Sequence, residues 1–198
     1  NTIRHTAVVA IAGKKVTDDI RVGLSILDDQ AEQLKHDHGE AFVDMIENDD
    51  VLTIPGIAGR QPKEITESIL AKIIQARMEE ILEIVAIEIK RSGYSEELSA
   101  GVVLTGGGSL LTNFDHLATE VLGMDTKLGM PRGITGGLTE EVNNPIYATA
   151  VGLVNHAIQA GQKGQNQPPM VPAHSKGSSI EKVMSRIVDR MKSWFGEL

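Results

Sequence analysis

The stretch Gly101-Val102-Val103-Leu104-Thr105-Gly106-Gly107-Gly108 decides how the rest of the chain is read. Its short apolar run, bounded by glycines, reads as a buried strand. The glycines lead toward a helix expected near Phe114 to Leu122. A strand that ends this way lets backbone N–H groups approach a phosphate with no side chain in between, and we expect Gly107 to take a positive φ there. The same pattern also makes a plain tight turn, and on this stretch alone both readings stand.

Working outward, Thr2 to Ile11 reads as a strand closed by Gly13, with Val8, Val9 and Ile11 suited to a buried sheet. Thr17 is placed to N-cap a helix from Asp18 to Leu27, with Asp18 and Asp19 in its first turn. A second helix is predicted from Asp28 to His38, stopping at Gly39. Two strand-like pieces follow, Phe42 to Ile46 and Val51 to Ile54, around the polar turn Glu47-Asn48-Asp49-Asp50. Pro62 to Ser92 has a helical pattern that begins on a proline and ends at Gly93, and its length predicts a break near Lys72 to Ala76. Pro145 to Ala160 reads as the last helix of the folded part. Strands alternating with helices make an α/β fold.

Composition narrows the function. The chain has 198 residues, 41% of them hydrophobic, enough for one sizeable core or two small ones. A net charge of −8 with only 3% aromatics excludes the basic footprint and stacking platforms of a nucleic-acid binder. It also means that contact with an anionic membrane must come from a local basic segment. There is no cysteine, and the six histidines show no HxxxH or HExxH spacing, so no metal site is assigned; His36 and His38 read as solvated or satisfied helix residues. No apolar run is long enough to span a membrane. The chain opens without a methionine, inside an alternating β-branched stretch, and reads as a piece of a longer protein.

Two further patterns bear on the glycine turn. In Ala31-Glu32-x-x-Lys35-x-x-x-Gly39, Glu32 and Lys35 share one helix face, where a carboxylate can take ribose hydroxyls and a lysine stem can lie against adenine; a surface ion pair is the plainer reading. In Asn144-Pro145-x-x-Ala148-x-x-x-Gly152, two small residues four apart permit close helix packing, with no ligand role.

The C-terminal region changes character. Residues 161–178 are rich in Gly, Gln, Pro and Ser and read as a flexible linker. From Ser179, placing residues every 100° around a helix puts Ile180, Val183, Met184, Ile187, Val188, Met191, Trp194 and Phe195 within an arc of about 140°. Every residue outside that arc is polar or glycine. Lys182, Arg186, Arg190 and Lys192 surround it with positive charge, and Trp194 suits a membrane interface. This is the pattern of a helix lying in an anionic membrane surface, the alternative being a helix docked on the protein's own core or on a partner.

The order of these segments resembles the second large domain of the actin, Hsp70 and MreB superfamily. Within it the chain is most similar to the FtsA family, through Gly59-Arg60-Gln61-Pro62, the run Ala76-Arg77-Met78-Glu79-Glu80-Ile81-Leu82, and Ala100 to Gly107. The resemblance covers essentially the whole chain. It implies an actin-like ATPase-domain fold, with subdomain 2A at residues 1–36 and 82–160 and subdomain 2B at 37–81. It further implies an ATP site, with Mg2+, in which Glu32 and Lys35 contact ribose and adenine and Gly106, Gly107 and Gly108 pass close to the nucleotide. The family's phosphate loops and catalytic acids are expected upstream of Asn1, and no catalytic residue is assigned within the chain. Subdomain 2B implies a grip on the acidic, apolar C-terminal tail of FtsZ, with Arg77 first among Arg60, Lys63 and Lys72 as candidates. The plain alternative for Arg77 is a pair with Glu80 along the helix.

The implied role is that of a polymer-forming adaptor at the cytoplasmic face of the inner membrane, at the division site, with FtsZ, further copies of itself and other division proteins as partners. An Hsp70-like or sugar-kinase-like enzyme and a PilM-like pilus adaptor share the sheet topology, and fold likeness alone does not separate them. The terminal amphipathic segment is the feature that neither alternative needs.

Overall fold

The computed structural model describes residues 3–56, 59, 61–133 and 139–165. Helix α1 (Gly13–Leu24) buries Val16, Ile20 and Leu24, a spacing of four that keeps one stripe facing inward. Helix α2 (Asp28–His38) has its expected bounds, with Asp28 and Asp29 in the first turn and Lys35, His36 and His38 in the last, each sign matched to the helix dipole. It stops where Gly39 turns the chain; a Cβ there would stand 2.2 Å from the Lys35 carbonyl oxygen.

Strands β1 (Val51–Ile54) and β2 (Lys63–Thr66) pair antiparallel, with Leu52 opposite Ile65. Helix α3 (Glu67–Ser92) follows directly and ends at Gly93, which adopts φ 76°. Asp49 accepts hydrogen bonds from the Ser68 backbone N–H at 2.8 Å and the Ser68 hydroxyl at 2.9 Å, satisfying a first-turn amide. Strand β3 (Val102–Leu104), helix α4 (Phe114–Leu122) and strand β4 (Thr126–Leu128) form a parallel β-α-β crossover, Val102 opposite Thr126 and Leu104 opposite Leu128. A short helix α5 (Thr139–Val142) and helix α6 (Ala148–Gln165) complete the described chain.

One core joins these pieces. Val16 and Ile20 of α1, Leu70, Ile74, Met78 and Leu82 of α3, Phe114 and Leu117 of α4 and Leu52, Ile54 and Ile65 of the hairpin are all buried in it. The four α3 residues repeat every fourth position, and no Gly or Pro interrupts residues 67–92. That continuous stripe against α1 and α4 explains why the predicted break near Lys72 to Ala76 is absent.

Other expectations are corrected as well. Residues 3–11 form no strand; Val8 is 97% exposed, and among the described residues none pairs with them. A strand has no hydrogen bonds of its own, so suitable side chains do not suffice without a neighbour. Helix α1 starts four residues before Thr17, with Ala12 as its N-cap, so Thr17 is an interior, fully buried residue rather than a cap. Phe42 to Ile46 holds a 3-10 turn at Val43–Met45 instead of a strand, fixed where the Val43 N–H meets the Gln75 side chain at 2.8 Å. Pro62 precedes β2 and does not open the helix. Strand β4, three residues long, was not predicted. Gly152 is exposed, and among the described residues nothing stands where its Cβ would be, so none of them packs closely on it. Helix α6 runs through Gln165 into the predicted linker. The rest of that linker and the amphipathic segment 179–198 lie outside the described residues, as does Arg60.

Candidate functional site

The glycine turn stands between strand β3 and a 3-10 turn, Gly107–Leu110. Gly106 takes φ 91° and ψ 173°, a conformation essentially confined to glycine. It is anchored from both sides: its N–H donates to the Pro145 carbonyl at 3.1 Å, and its own carbonyl accepts from the Ser109 N–H at 3.1 Å and hydroxyl at 2.7 Å. The positive φ therefore belongs to Gly106, not to Gly107 as expected. Gly107 and Gly108 have another character. Their φ angles are not positive, a Cβ on Gly107 would come no nearer than 3.9 Å to Ile146, and one on Gly108 would meet nothing within 4 Å. Among the described residues, neither backbone strain nor protein neighbours require glycine at these two positions.

Both face a pocket of about 690 Å³, within the size range of small-molecule and cofactor sites. One wall is the loop from Leu104 to Leu111; the opposite wall is the start of α1 (Ala12, Gly13, Lys14) and the end of α2 (Glu32, Lys35, His36). Met78, Ile81, Phe114 and Ile146 supply apolar lining. The N-terminal end of α1 brings partial positive charge to this edge.

Glu32 and Lys35 are paired, and the pair is part of a larger clasp. The Lys35 ammonium donates to Glu32 Oε1 at 2.7 Å and Oε2 at 2.8 Å, to Thr17 Oγ1 at 2.9 Å and to the Gly13 carbonyl at 3.3 Å. With only 13% of its side chain exposed, Lys35 ties α2 to α1 and has no spare proton for a ligand. Its stem and the carboxylate of Glu32, 42% exposed, are what remain on the pocket side. Burial pushes the Glu32 carboxyl up, but the hydrogen bonds from Lys35 and Thr17 outweigh it and hold the group below the usual carboxylate range. His36, read from the sequence as a solvated residue, lines the pocket with Nε2 3.4 Å from Glu32 Oε1.

The loop wall is fastened to α2 by a residue the sequence did not single out. Glu40 is 6% exposed; it accepts from the Phe42 N–H and from the Asn113 side chain, each at 2.9 Å. Backbone hydrogen bonds at 2.9 Å, Ala41 N–H to Thr112 and Thr112 N–H to Gly39, run beside it. Burial raises the Glu40 carboxyl above its ordinary range, partly offset by those donors.

Of the four basic residues expected on the small subdomain, Lys63, Lys72 and Arg77 lie among the described residues. Arg77, 19% exposed, holds Asp19 of α1 and Glu80 of its own helix. Lys63 donates to the Leu24 carbonyl at 2.9 Å. Lys72 is exposed on α3.

A model of the family described as "Cell division protein FtsA" matches residues 1–152. The chain belongs to the FtsA family. It is 34% identical over 192 residues to the FtsA of Pseudomonas aeruginosa, covering 97% of this chain and 45% of that protein. The FtsA of Neisseria meningitidis is 35% identical over 194 residues, with 97% and 45% covered, and that of Escherichia coli K12 is 32% identical over 190 residues, with 92% and 45% covered. The chain thus spans less than half the length of these FtsA proteins. Among solved structures, the crystal structure of MreB5 of Spiroplasma citri bound to ADP has a TM-score of 0.63 at 19% identity, over 80% of this chain and 48% of that one. The same protein bound to AMPPNP gives 0.63, over 80% and 47%. The fold is that of the actin-like proteins. Family membership in FtsA, a set of cell division proteins, decides against the Hsp70-like, sugar-kinase-like and PilM-like alternatives.

Proposed function

We propose that this chain is the second large domain of an ATP-binding, actin-like division protein that polymerises and tethers FtsZ filaments to the cytoplasmic face of the bacterial inner membrane at the division site. The observation that carries the nucleotide part is the pocket wall at Gly107 and Gly108, where glycine is demanded by no internal contact and leaves room for a ligand to pass close to the backbone. Facing it, the Glu32 carboxylate is held ionised and half-exposed, suited to ribose hydroxyls, while the Lys35 stem and Ile81 offer an apolar surface to a base. The MreB5 structures of the same fold were solved with ADP and AMPPNP, which supports an adenine nucleotide in the corresponding cleft; that it binds with Mg2+ is part of the proposal. In this reading the residues present bind and orient the adenosine part. Phosphate and metal chemistry falls to segments outside this chain.

The tether has two ends. For the FtsZ tail, Lys72 and Lys63 are the exposed candidates among the described residues, Lys63 keeping two ammonium protons beyond the one it gives to the Leu24 carbonyl, whereas Arg77 is already paired with Asp19 and Glu80 and would exchange one of them for a new carboxylate. For the membrane, the eight apolar residues between Ile180 and Phe195, edged by Lys182, Arg186, Arg190 and Lys192, form a reversible anchor whose strength multiplies along a polymer. The test is co-sedimentation of the full-length protein with anionic liposomes, comparing wild type with Trp194→Glu and with a truncation after Gln167. Loss of pelleting in both variants, with FtsZ-tail binding retained, is expected. Equal pelleting of all three defeats the anchor.

A further inference from the structure

We infer that Thr17 is a positioning residue for ribose recognition, its buried hydroxyl aiming the Glu32 carboxylate into the pocket. The inference rests on reading that pocket as an adenine-nucleotide site. Thr17 is 0% exposed in the middle of α1, beside the core residues Val16 and Ile20. A hydroxyl there is costly unless it is bonded, and valine fills the same volume without that demand. The hydroxyl has one proton and two acceptors in reach, the Gly13 carbonyl at 3.2 Å and Glu32 Oε2. It also accepts from the Lys35 ammonium at 2.9 Å, and because an ionised carboxylate accepts more strongly than a neutral carbonyl, its own proton is directed at Glu32.

Glu32 has a second donor in Lys35, but the two hold it differently. A lysine reaches through four rotatable carbons and follows the carboxylate wherever it swings. The threonine oxygen sits on a β-branched carbon with restricted χ1, on a residue that is itself fully buried, and so fixes one carboxylate oxygen in space. With Oε2 held by Thr17, Oε1 is the oxygen left with acceptor capacity on the pocket side, shared with Lys35 at 2.7 Å and His36 at 3.4 Å. The geometry points to a carboxylate oriented before the ligand arrives, the condition under which a hydrogen bond to a hydroxyl adds most to affinity and selectivity.

The test compares binding of ATP and 2′,3′-dideoxy-ATP to the full-length protein as wild type, Thr17→Val, Thr17→Ser and Glu32→Ala, with Thr17→Ala standing in should the valine variant fail to fold. Thr17→Val, or Thr17→Ala in its place, is expected to weaken ATP by about tenfold, the worth of one hydrogen bond to a charged group, while leaving the dideoxy analogue unchanged. Thr17→Ser, which keeps the hydroxyl, retains the preference for ATP, and Glu32→Ala loses it. A tested Thr17 variant lacking the hydroxyl that keeps the full preference, or weakens both ligands equally, overturns the positioning role while the nucleotide reading stands. Absence of ATP binding by the wild type overturns the nucleotide reading, and this inference with it.

Discussion

Alanine at Gly106 and alanine at Gly107 should have opposite consequences, although the two residues are adjacent in one turn. At Gly106 an added Cβ meets nothing within 4 Å, so no clash contributes. The cost is conformational: at φ 91° and ψ 173° an L-residue is strained by about 1–3 kcal/mol. The turn cannot relax freely, because the Gly106 N–H is tied to Pro145 and its carbonyl to Ser109. At roughly 2–4 °C per kcal/mol for a domain of this size, Gly106→Ala should lower the melting temperature by about 2–12 °C. At Gly107 the φ is ordinary and the nearest atom to a Cβ is 3.9 Å away, so alanine fits; restricting the unfolded chain favours it by about 0.4–1 kcal/mol. The new methyl instead stands on the pocket wall. Gly107→Ala should therefore melt at or above the wild-type temperature and yet bind ATP more weakly. Thermal melts of the full-length protein without ligand, followed by ATP titration, separate the two effects. A Gly106→Ala variant that melts with the wild type refutes the conformational argument, and normal ATP affinity in Gly107→Ala refutes the close approach of a nucleotide.

Arg77→Glu places a third carboxylate beside Asp19 and Glu80 and should cost about 1–3 kcal/mol of stability, so its effect on the FtsZ tail is better read in Arg77→Met and Lys72→Glu. Fluorescence anisotropy with the tail peptide is expected to show weaker binding for both, and unchanged affinity removes the residue concerned from the peptide site. Glu40 has a raised carboxyl, so its contribution to stability is complete below the usual glutamate range and is lost as pH rises through its folded-state value. Glu40→Gln should accordingly gain in melting temperature relative to wild type between pH 4 and pH 7, with the Asn113 amide turned to accept; a difference independent of pH contradicts this.

What was legible in the sequence was mostly local. Helix α2 and the ends at Gly39 and Gly93 were predicted as found, because charge placement and glycine act within one turn. Strand β3 and helix α4 followed from a short apolar run and its glycines. The misses share a physical cause, since each depends on residues distant in sequence. Thr17 has a cap's chemistry, but its hydroxyl bonds Glu32, fifteen residues on, in the next helix. Residues 3–11 have strand composition, yet pairing is decided by what lies alongside. The Glu32 and Lys35 spacing was visible, whereas the burial of Lys35 against Gly13 and Thr17 was not. The fastening of Glu40 by Asn113, seventy-three residues away, left no mark in either local pattern.

The claim on which the rest depends is that an adenine nucleotide sits between the α1–α2 wall and the glycine turn. Photolabelling of the full-length protein with 8-azido-ATP and Mg2+, followed by peptide mapping, tests it most directly. The account predicts label, competed by unlabelled ATP, on peptides containing residues 28–39 or 104–111. Label found only elsewhere in the protein, or label that ATP does not compete, contradicts it.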